Sequence, residues 1–574
     1  MSAVLDLFAD EVDQTVEQQH VVADPVAAAI FAIESVLLSG KALACAYSSG
    51  KDSSTVANLA FTAALNVKRR TGRCPPVHVL NADTVVESPV VRALADRELA
   101  RMRAFGEAND LPIHTHVTRP TLSASWAVRI IGGRALPSFP QTSGDCALDY
   151  KIHPMNRLRK WLRQQEGGDR IVTLIGTRSS ESPHRAVATA QRKETAHTTW
   201  FGPEGDERLS PILHWSTDMV WGYLGECAAG VHPSYSPMTE LMEFYADAGA
   251  SSCVVVADMR SAGNNKPCGA RGGCWTCVRV SSDRSVENMI ADAPDKYPYL
   301  MPLLSLRNYL AATQWDYSLR NFIGRTIDSE GYMPVKADQY NPKMLEDLLR
   351  YTLSAQDEAM ELGAPASVRP IGEREIIALD FWWSLRAIAP PYTALRIYFE
   401  WQDRRDGEYW RPPDVTNPVR PAPCPDVGRI RVGTCWDADA HPLRPTGLRH
   451  DILEMYGESC GTELRAGSKG QLFLDLPEEA EFDVDLEGAC LFIDFEGRRK
   501  VADYRNWSGD WTVAASDYLG VFQCVRLAKG QSSKVDSMMR RAQWIQRNRL
   551  HGQQTLDELR SRCQILTAHQ ADFF

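Results

Sequence analysis

The feature that most constrains this chain is a strand–turn–helix pattern, AYSSGKDSSTVANLA, between Ala46 and Ala60. An apolar run that begins at Ala42 enters a turn of small residues, and a helical pattern follows. Small side chains let the backbone approach an anion, while the free N–H groups and the dipole of a new helix attract it. The pattern therefore predicts a phosphate-binding loop between a strand and a helix N-terminus.

Size and composition limit the class of protein. At 574 residues the chain is too long for one ordinary core, so we expect about two to four domains. The 14 cysteines, in a sequence whose acidic start lacks a secretory pattern, indicate reduced thiols rather than a disulfide framework. No apolar run is long enough for a membrane helix, so we expect a cytoplasmic protein. The net charge of −10 argues against a broadly basic nucleic-acid binder but allows a local basic patch.

Short apolar runs alternate with helical stretches after the loop. The runs typical of strands are VHVLNAD (77–83), LPIHTHVT (111–118) and IVTLIGTR (171–178). This alternation predicts an α/β fold with a doubly wound parallel sheet and helices on both of its faces. Ligands of such sheets lie at the carboxyl ends of the strands. Residues 48–52, Asp83 and Arg178 all fall at strand ends, so we expect one site built from three loops.

Beyond the sheet domain the composition and the hydrophobic pattern of the sequence change several times. We divide the chain into an α/β domain (1–260), a cysteine segment (261–295), a helical region (296–410), a proline-rich linker (411–427), a β-rich region (428–525) and a basic helical tail (526–574). Four runs, GRIRVG, GQLFLDL, EFDVDL and ACLFIDF, predict the strands of the β-rich region. The tail carries six cations and one anion between 529 and 550. A solvated helix face explains them more simply than a nucleic-acid patch does.

The loop resembles the SGGKDS loop of the PP-loop ATP pyrophosphatases, with Ser49 in place of the first glycine. It is not a Walker A sequence, because Asp52 follows Gly50-Lys51 where that motif has Ser or Thr. The resemblance implies cleavage of ATP between the α- and β-phosphates and transfer of AMP to a substrate oxygen. Lys51 would then offset charge on the leaving pyrophosphate, and Asp52 would help to place Mg²⁺. An ordinary serine-rich turn is the alternative.

Two later segments resemble nucleotide-binding parts of the same superfamily. Asn81-Ala82-Asp83-Thr84 is similar to the strand end that recognises adenosine, although Asp83 would also suit a helix N-cap. Arg178 lies in a segment similar to the G-x-R-x-x-E-S segment of the PAPS-reductase-like branch and would clamp a phosphate, unless it pairs at the surface with Glu181. The residues predicted to bind ATP are Ser48, Ser49, Gly50, Lys51, Asp52, Ser53, Ser54, Asp83 and Arg178. Those predicted to be catalytic are Lys51, Asp52 and Arg178.

A second chemical feature is the cluster CGARGGCWTC, with thiols at Cys268, Cys274 and Cys277. Three thiolates within ten residues, separated by glycines, suit metal binding. Both Zn²⁺ and a [4Fe–4S] cluster accept four thiolate ligands. Cys146 and Cys253 precede the cluster and are the candidates for a fourth ligand.

The segment around Cys146, TSGDCALDYKIHP, resembles the C-T-x-x-L-K-x-x-P segment of the DndC-like sulfurtransferases of DNA phosphorothioation systems. Lys151 and Pro154 match, whereas Gly144-Asp145 replaces the Arg-Trp of that family. The family carries a [4Fe–4S] cluster, so the resemblance implies one here. The implied ligands are Cys146, Cys268, Cys274 and Cys277, with Cys253 as an alternative ligand or a persulfide carrier. A zinc knuckle that only stabilises the domain is the alternative.

The resemblance extends over about residues 25–290 and implies an ATP-dependent sulfurtransferase that replaces a DNA backbone phosphate oxygen with sulfur. It also implies partners: DNA, a cysteine desulfurase as sulfur donor and other subunits of a DNA sulfur-modification complex, without a membrane. A PAPS reductase or a tRNA thiolase is an alternative enzyme. A non-catalytic scaffold that binds a nucleotide and a cluster within a defence complex is the other alternative.

Overall fold

The architecture is taken from a computed structural model of the chain. The structure describes residues 24–249 and 272–412, except 141, 143, 169, 182, 203–204 and 406. It further describes residues 428–440, 464–466, 472–474, 476–477, 480–505, 513–522, 524–551, 557–559 and 565–567. Cys253, Cys268 and most of the proline-rich linker lie outside these residues, so the predictions made for them stay predictions.

The N-terminal part of the chain alternates strands and helices as the sequence predicts. In chain order the elements are α1 (Pro25–Leu38), β1 (Ala42–Tyr47), α2 (Lys51–Thr71), β2 (Val77–Ala82), α3 (Pro89–Ala108), β3 (Ile113–Thr118), α4 (Asp145–Ala147), α5 (His153–Glu166), β4 (Ile171–Leu174), α6 (Pro183–Gln191), β5 (Trp200–Phe201), β6 (Glu207–Leu209), α7 (Thr217–Ala228) and α8 (Thr239–Gly249). A π-helical turn, Leu148–Ile152, leads into α5.

The strands form one six-stranded sheet in the order β3-β2-β1-β4-β6-β5. All neighbours are parallel except β5 and β6, and Cys45 on β1 lies in register between Val79 and Leu174. Chain order reverses between β1 and β4, so the predicted doubly wound α/β sheet is confirmed. In such sheets the crevice at this switch point is where ligands bind.

Helices cover both faces of the sheet, but unequally. On one face the side chains of α1, α2, α3 and α7 pack against alternate strand residues such as Leu43, Cys45 and Val79. On the other face Leu162 of α5 is buried with Ala42, Ala44 and Ile171. The alternation follows from the period of two along a strand. Among the described elements α5 is the principal cover of this second face.

A second core joins the cysteine segment to the helical region. The elements of this part of the chain are α9 (Arg284–Asp292), α10 (Leu300–Ala312), β7 (Arg320–Ile323), β8 (Tyr332–Tyr340), α11 (Pro342–Glu361), α12 (Glu373–Leu385) and α13 (Thr393–Gln402). Of these, α9 packs with the sheet-domain core through Val286 and Met289. Trp275, Val278 and Trp126 are buried in the same cluster as Leu306 and Trp383. The helical region therefore supports the cysteine segment directly.

The structure corrects two predictions about secondary structure. The helical region contains an antiparallel strand pair, β7 and β8, because Met333 and Val335 alternate into a small core beside Ile430. The run ACLFIDF is helical rather than a strand, since Leu486–Phe492 forms a helix capped by Asp485. Ala489, Phe492 and Ile493 are buried at helical spacing, which a short apolar run does not distinguish from a strand.

The rest of the C-terminal part contains short strands and helices. The strands are Gly428–Arg431, Leu464–Ala466, Leu472–Leu474, Phe482–Val484, Val525–Leu527 and Ile565–Thr567, and the further helices are Arg498–Tyr504, Ala514–Val521 and Ser532–Arg547. Three of the four predicted runs thus contain strands. None of the described helices is both long and apolar enough to cross a membrane.

Candidate active site at the carboxyl ends of the strands

The predicted phosphate loop connects β1 to α2 and is held by the hydroxyl group of Ser53. This hydroxyl accepts hydrogen bonds from the backbone N–H groups of Ser48 and Gly50, each at 3.2 Å, and donates to the Gly50 carbonyl at 2.9 Å. Gly50 is the N-cap of α2 in an extended conformation. Ser53 therefore shapes the loop from inside, a role that sequence reasoning did not separate from anion binding.

Ser49 occupies the position at which the resembling loop has glycine, and its backbone has the left-handed conformation that favours glycine. Its φ is +59° and the residue is only 3% exposed. A serine in this region carries a steric cost that glycine does not. The loop therefore has a backbone conformation that favours glycine, although a serine occupies this position.

Buried hydroxyl groups surround the loop with unused hydrogen-bonding capacity. Within the described residues the side-chain oxygens of Tyr47, Ser49, Ser54 and Thr55 are buried and complete no hydrogen bond. Tyr47 lies close to both Ser49 and Ser54. Buried polar atoms are rarely left unsatisfied, so such a group calls for a specific explanation. An anion at the start of α2 would supply acceptors for these donors.

Asp52 brings the two predicted catalytic cations together. Its Oδ1 accepts a hydrogen bond from Nε of Arg178 at 2.6 Å, and its Oδ2 lies 2.9 Å from Nζ of Lys51. Arg178 is 2% exposed and also contacts the hydroxyls of Ser180 and Thr217 at 3.2 Å. Both carboxylate oxygens are therefore engaged by cations, and a metal ion bound directly to Asp52 would have to displace one of them.

Arg178 does not pair with Glu181, the surface partner that the sequence left open. Glu181 forms its ion pair with Arg185, one helical turn later, whereas Arg178 turns inward to Asp52. Asp52 follows β1 and Arg178 follows β4. The ends of these two strands meet because β1 and β4 are neighbours in the sheet. Arg178 is thus a buried part of the loop site rather than half of a surface pair.

Asp83 lies at the end of β2 and is held by two contacts. Its Oδ1 accepts a hydrogen bond from the N–H of Val85, and its Oδ2 from Nε of Arg119, both at 2.8 Å. The N-cap position of α3 belongs to Ser88, so Asp83 is not the helix cap that the sequence left open. Contact between Asp83 and a nucleotide stays a prediction.

The loop after β2 also binds the cysteine segment, and this joins the two chemical features of the sequence. Glu87 and Cys274 form an antiparallel β-bridge. The N–H of Trp275 donates to the Val86 carbonyl at 2.9 Å, and the N–H of Ser88 donates to the Gly273 carbonyl at 3.0 Å. Cys274 therefore lies beside the strand end that carries Asp83, a contact no sequence pattern indicated.

Two further contacts define the surroundings of Cys274. Its sulfur lies 3.5 Å from the hydroxyl of Thr84, and the ammonium group of Lys151 is 3.8 Å from Glu87. Burial raises the pKa of the Cys274 thiol to about 11, although Lys151 acts in the opposite direction. Burial likewise raises the pKa of Glu87. Without a metal or another cation, this site keeps the Cys274 thiol neutral.

Cys277 is held in place by an arginine from the helical region. Its N–H donates to the Cys274 carbonyl at 2.9 Å, which closes a tight turn between the two cysteines. Arg307 of α10 is 1% exposed and donates to the carbonyls of Cys277 at 3.1 Å and Ser281 at 2.9 Å. Arg307 thus fixes the backbone that follows the cysteine pair, and sequence reasoning missed it because the residues are 30 positions apart.

Cys146 lies on α4, near the buried side chain of Tyr150. The thiols of Cys146 and Cys274 are both close enough to act electrostatically on the Tyr150 phenol. Both cysteines also pack against the same hydrophobic cluster. The fold therefore brings Cys146, Cys274 and Cys277 into one neighbourhood.

The chemistry of these donors fits a thiolate-ligated metal centre, but the described part of the chain does not complete one. Within the described residues, no three His, Cys, Asp or Glu side chains converge closely enough to hold a metal ion. Cys268 and Cys253 lie outside those residues, and both belong to the predicted set. The ligand assignment therefore stays a prediction. A cationic centre would also favour the thiolate form of Cys274, which burial opposes.

The comparison with protein families agrees with this geometry. Residues 42–238 match the model of the phosphoadenosine phosphosulfate reductase domain family. The match to this reductase domain spans β1 to α7 and includes the phosphate loop, Asp83, Cys146 and Arg178. It supports the PP-loop superfamily, and with it a nucleotide-utilising, sulfur-related class of enzyme, for this part of the chain. A comparison with curated proteins found no match.

The reductase-domain match stops before the cysteine segment and the helical region. The match ends at Met238, before α8. It also ends before the cysteine segment, which the structure describes from Gly272 onward. The chemistry of Cys274 and Cys277, and that of the helical region behind them, is therefore additional to the matched domain.

Proposed function

We propose that this chain is an ATP-dependent sulfurtransferase that adenylylates a DNA backbone phosphate oxygen and then replaces that oxygen with sulfur. The observation that carries the proposal is the β-bridge between Glu87 and Cys274, which puts a cysteine beside the strand end that carries Asp83. The predicted nucleotide site and a thiol would therefore share one edge of the sheet, which supports the proposal. Activation of an oxygen and its replacement by sulfur require that arrangement.

In the first step a non-bridging DNA phosphate oxygen attacks the α-phosphorus of ATP, and the bond from that phosphorus to the β-phosphate oxygen breaks. Pyrophosphate leaves and AMP becomes attached to the DNA oxygen. Charge develops on the leaving pyrophosphate, where the N-terminus of α2 and the Lys51 ammonium group would stabilise it. Asp52 orients Lys51 and Arg178 through its two carboxylate oxygens. Mg²⁺ would accompany ATP and offset further charge.

In the second step a sulfur nucleophile attacks the DNA phosphorus and AMP departs with the original oxygen. If the nucleophile is hydrosulfide, no electrons are exchanged. If it is a cysteine persulfide, a second thiol must attack the sulfur–sulfur bond, and two thiols become a disulfide that an external thiol reductant reopens. A cysteine desulfurase would supply the sulfur, and other subunits of a DNA sulfur-modification complex would present the DNA.

The metal centre belongs to the proposal as well. Cys146, Cys268, Cys274 and Cys277 would hold a [4Fe–4S] cluster, with Cys253 as the alternative ligand or persulfide carrier, and Zn²⁺ is the other metal that such ligands accept. When bound, a cluster would supply a site for sulfide and for electron exchange. Arg307 would keep the turn between Cys274 and Cys277 in its binding conformation.

A direct experiment measures both products. Purified anaerobically and supplied with ATP, Mg²⁺, sulfide and DNA, the protein should release AMP and pyrophosphate in a DNA-dependent manner and produce phosphorothioate dinucleotides detectable by mass spectrometry. Lys51→Ala should abolish both products, whereas Lys336→Ala, an exposed lysine on β8, should behave as wild type. Unchanged DNA sulfur content in cells that carry only Lys51→Ala would disprove the enzymatic proposal.

The reductase-domain match favours a second candidate, reduction of an adenylylated sulfate by the same loop. Thiolation of a tRNA is the related alternative that the loop sequence leaves open. The same assay separates these reactions. Sulfite production from phosphoadenosine phosphosulfate, or sulfur incorporation into tRNA but not DNA, would replace DNA as the substrate. Nucleotide binding without any turnover would instead favour the non-catalytic scaffold.

A further inference from the structure

Four arginines from separate parts of the chain gather near the C-terminal end of α12. They are Arg134 between β3 and α4, Arg325 after β7, Arg386 after α12, and Arg541 in the helix Ser532–Arg547. The guanidinium carbons of Arg134 and Arg386 lie 5.7 and 5.4 Å from the ring centre of Trp382. Arg325 also donates a hydrogen bond to the carbonyl of Arg134. The sheet domain, the helical region and the C-terminal part of the chain therefore meet at this arginine cluster.

Two carboxylates of the described residues pair with the arginine cluster. Nη2 of Arg134 donates to Glu481 at 2.5 Å, and Nη2 of Arg325 donates to Asp338 at 2.5 Å. Glu481 also accepts a hydrogen bond from Lys534 at 2.9 Å, so its charge is shared between two cations. Among the described residues, positive charge thus exceeds negative charge at this junction.

The other two arginines keep hydrogen-bond donors that have no acceptor in the described part of the chain. Arg386 is partly buried and contacts the face of Trp382, but it forms no hydrogen bond or ion pair with a described residue. Arg541 is 7% exposed, and its Nη2 donates to the Gly324 carbonyl. Its Nε is buried and has no partner among the described residues. Because buried N–H groups are rarely unsatisfied, these donors call for an acceptor.

Arg386 and Arg541 line the same small cavity. The amide side chains of Asn321 and Gln339 and the apolar side chain of Ile388 also line it, and no carboxylate of a described residue does. The volume of the cavity is about 10 Å³, which suits a single group of the size of water. A chloride ion is close to that size, whereas a phosphate or sulfate ion would require side chains to move.

The electrostatics of the cluster favour an anion as well. Burial lowers the pKa of Arg386 to about 9, and the neighbouring arginines act in the same direction. Burial and the proximity of Arg325 lower the pKa of Arg541 to about 10. A negative charge between two cations would offset their mutual repulsion and favour their charged forms. Apolar walls around the cavity would strengthen that attraction.

We propose that Arg386 and Arg541 bind a chloride ion in this cavity. The ion accepts hydrogen bonds from both guanidinium groups and ties the end of α12 to the C-terminal helix. This inference does not depend on the proposed function, because the cavity contains none of the residues of the phosphate loop or of the cysteine segment.

The test measures the melting temperature of the full chain at constant pH and ionic strength while chloride replaces gluconate. The melting temperature of the wild type should rise by about 2 °C at roughly tenfold the dissociation constant, because a ligand of the folded state stabilises it by mass action. Arg386→Gln should lose most of this rise. In gluconate alone the same variant should melt no lower than the wild type, because its arginine forms no hydrogen bond there and repels Arg541.

Three further variants locate the effect. Arg386→Lys keeps the charge, should keep part of the rise, and serves if Arg386→Gln is not folded by circular dichroism. Arg69→Gln removes an exposed arginine of α2 and should behave as the wild type. Lys51→Ala should retain the rise. A rise that Lys51→Ala loses and Arg386→Gln retains would place the anion at the phosphate loop and overturn the proposal.

Diffraction from crystals soaked in bromide places the ion directly. An anomalous peak between Arg386 and Arg541, absent in Arg386→Gln, is the expected result. Equal melting temperatures of the wild type in chloride and in gluconate would overturn the site. A larger rise with phosphate or sulfate than with chloride would overturn chloride as its ligand. None of these results bears on ATP cleavage or sulfur transfer, which the assay of products tests separately.

Discussion

Arg178 donates a hydrogen bond to Asp52 across two neighbouring strand ends, at 2.6 Å between Nε and Oδ1. The same carboxylate holds Lys51 on its other oxygen. The functional loop and the arginine that approaches it are thus parts of one ion-paired unit, built into the crevice at which the sheet reverses its order.

Removal of Arg178 should therefore damage both stability and nucleotide binding. Arg178→Ala leaves Asp52 without its buried partner, and breaking a buried ion pair costs about 3–5 kcal/mol. We expect a loss at the lower end of that range in urea unfolding, because Asp52 is partly exposed and keeps Lys51. Calorimetry should show weaker ATP binding as well. A double variant with Asp52→Asn should be less destabilised than the two single losses together, and simple additivity would contradict the coupling.

Ser49→Gly should stabilise the protein. The substitution relieves the left-handed backbone at φ +59° and removes a buried hydroxyl that completes no hydrogen bond within the described residues. We expect a gain of about 1 kcal/mol in the free energy of unfolding of the ATP-free protein. Ser53→Ala is the contrasting variant, since it loses the bonds to Ser48 and Gly50 and should cost about 1–2 kcal/mol. A destabilised Ser49→Gly protein would contradict this account of the loop.

Cys274 should show an unusual pH dependence in metal-free, reduced protein. Burial raises its pKa to about 11, above the value near 8.5 of an unfolded thiol, so the stability that this burial contributes is lost as the pH rises through that interval. Alkylation of Cys274, followed by mass spectrometry, should be slow at pH 8 and accelerate up to about pH 11. The exposed Cys435 is the reference thiol. Fast alkylation of Cys274 at pH 8 in folded protein would contradict the raised pKa of this thiol.

Arg307 should control the cysteine turn without touching a substrate. Arg307→Ala removes its hydrogen bonds to the carbonyls of Cys277 and Ser281 and leaves a cavity where the buried arginine side chain was. We expect lower iron or zinc content per chain after anaerobic purification and a loss of about 2–3 kcal/mol in stability. Arg369→Ala, which removes an exposed arginine paired with Glu373, is the matched control. Normal metal content in Arg307→Ala would remove the positioning role.

Sequence reasoning predicted the sheet domain in detail because its signals are local. The apolar run of β1 is followed directly by the small residues of the loop. Cys274 and Cys277 are likewise close together in the chain. The alternation of strands and helices predicts a doubly wound parallel sheet, whereas the order of its strands came from the structure. The strand prediction for ACLFIDF is wrong, since a run of seven apolar and acidic residues suits both the helical and the strand period.

Contacts between distant segments were beyond the sequence. The partner of Arg178 could have been Glu181, three positions away, and only the pairing of β1 with β4 decided for Asp52. The bridge from Glu87 to Cys274 joins residues that no spacing rule connects. The same holds for Arg307, which reaches the cysteine turn from the helical region.

The sequence by itself determined the loop, its helix N-terminus and the kinds of ligand that its residues and its cysteines suit, because backbone geometry and donor chemistry depend on neighbours in the chain. The tertiary structure alone decided that Asp52 binds Arg178 and that Cys274 lies beside the strand end that carries Asp83. Those outcomes depend on which buried surfaces meet, and on which charges find partners once they do.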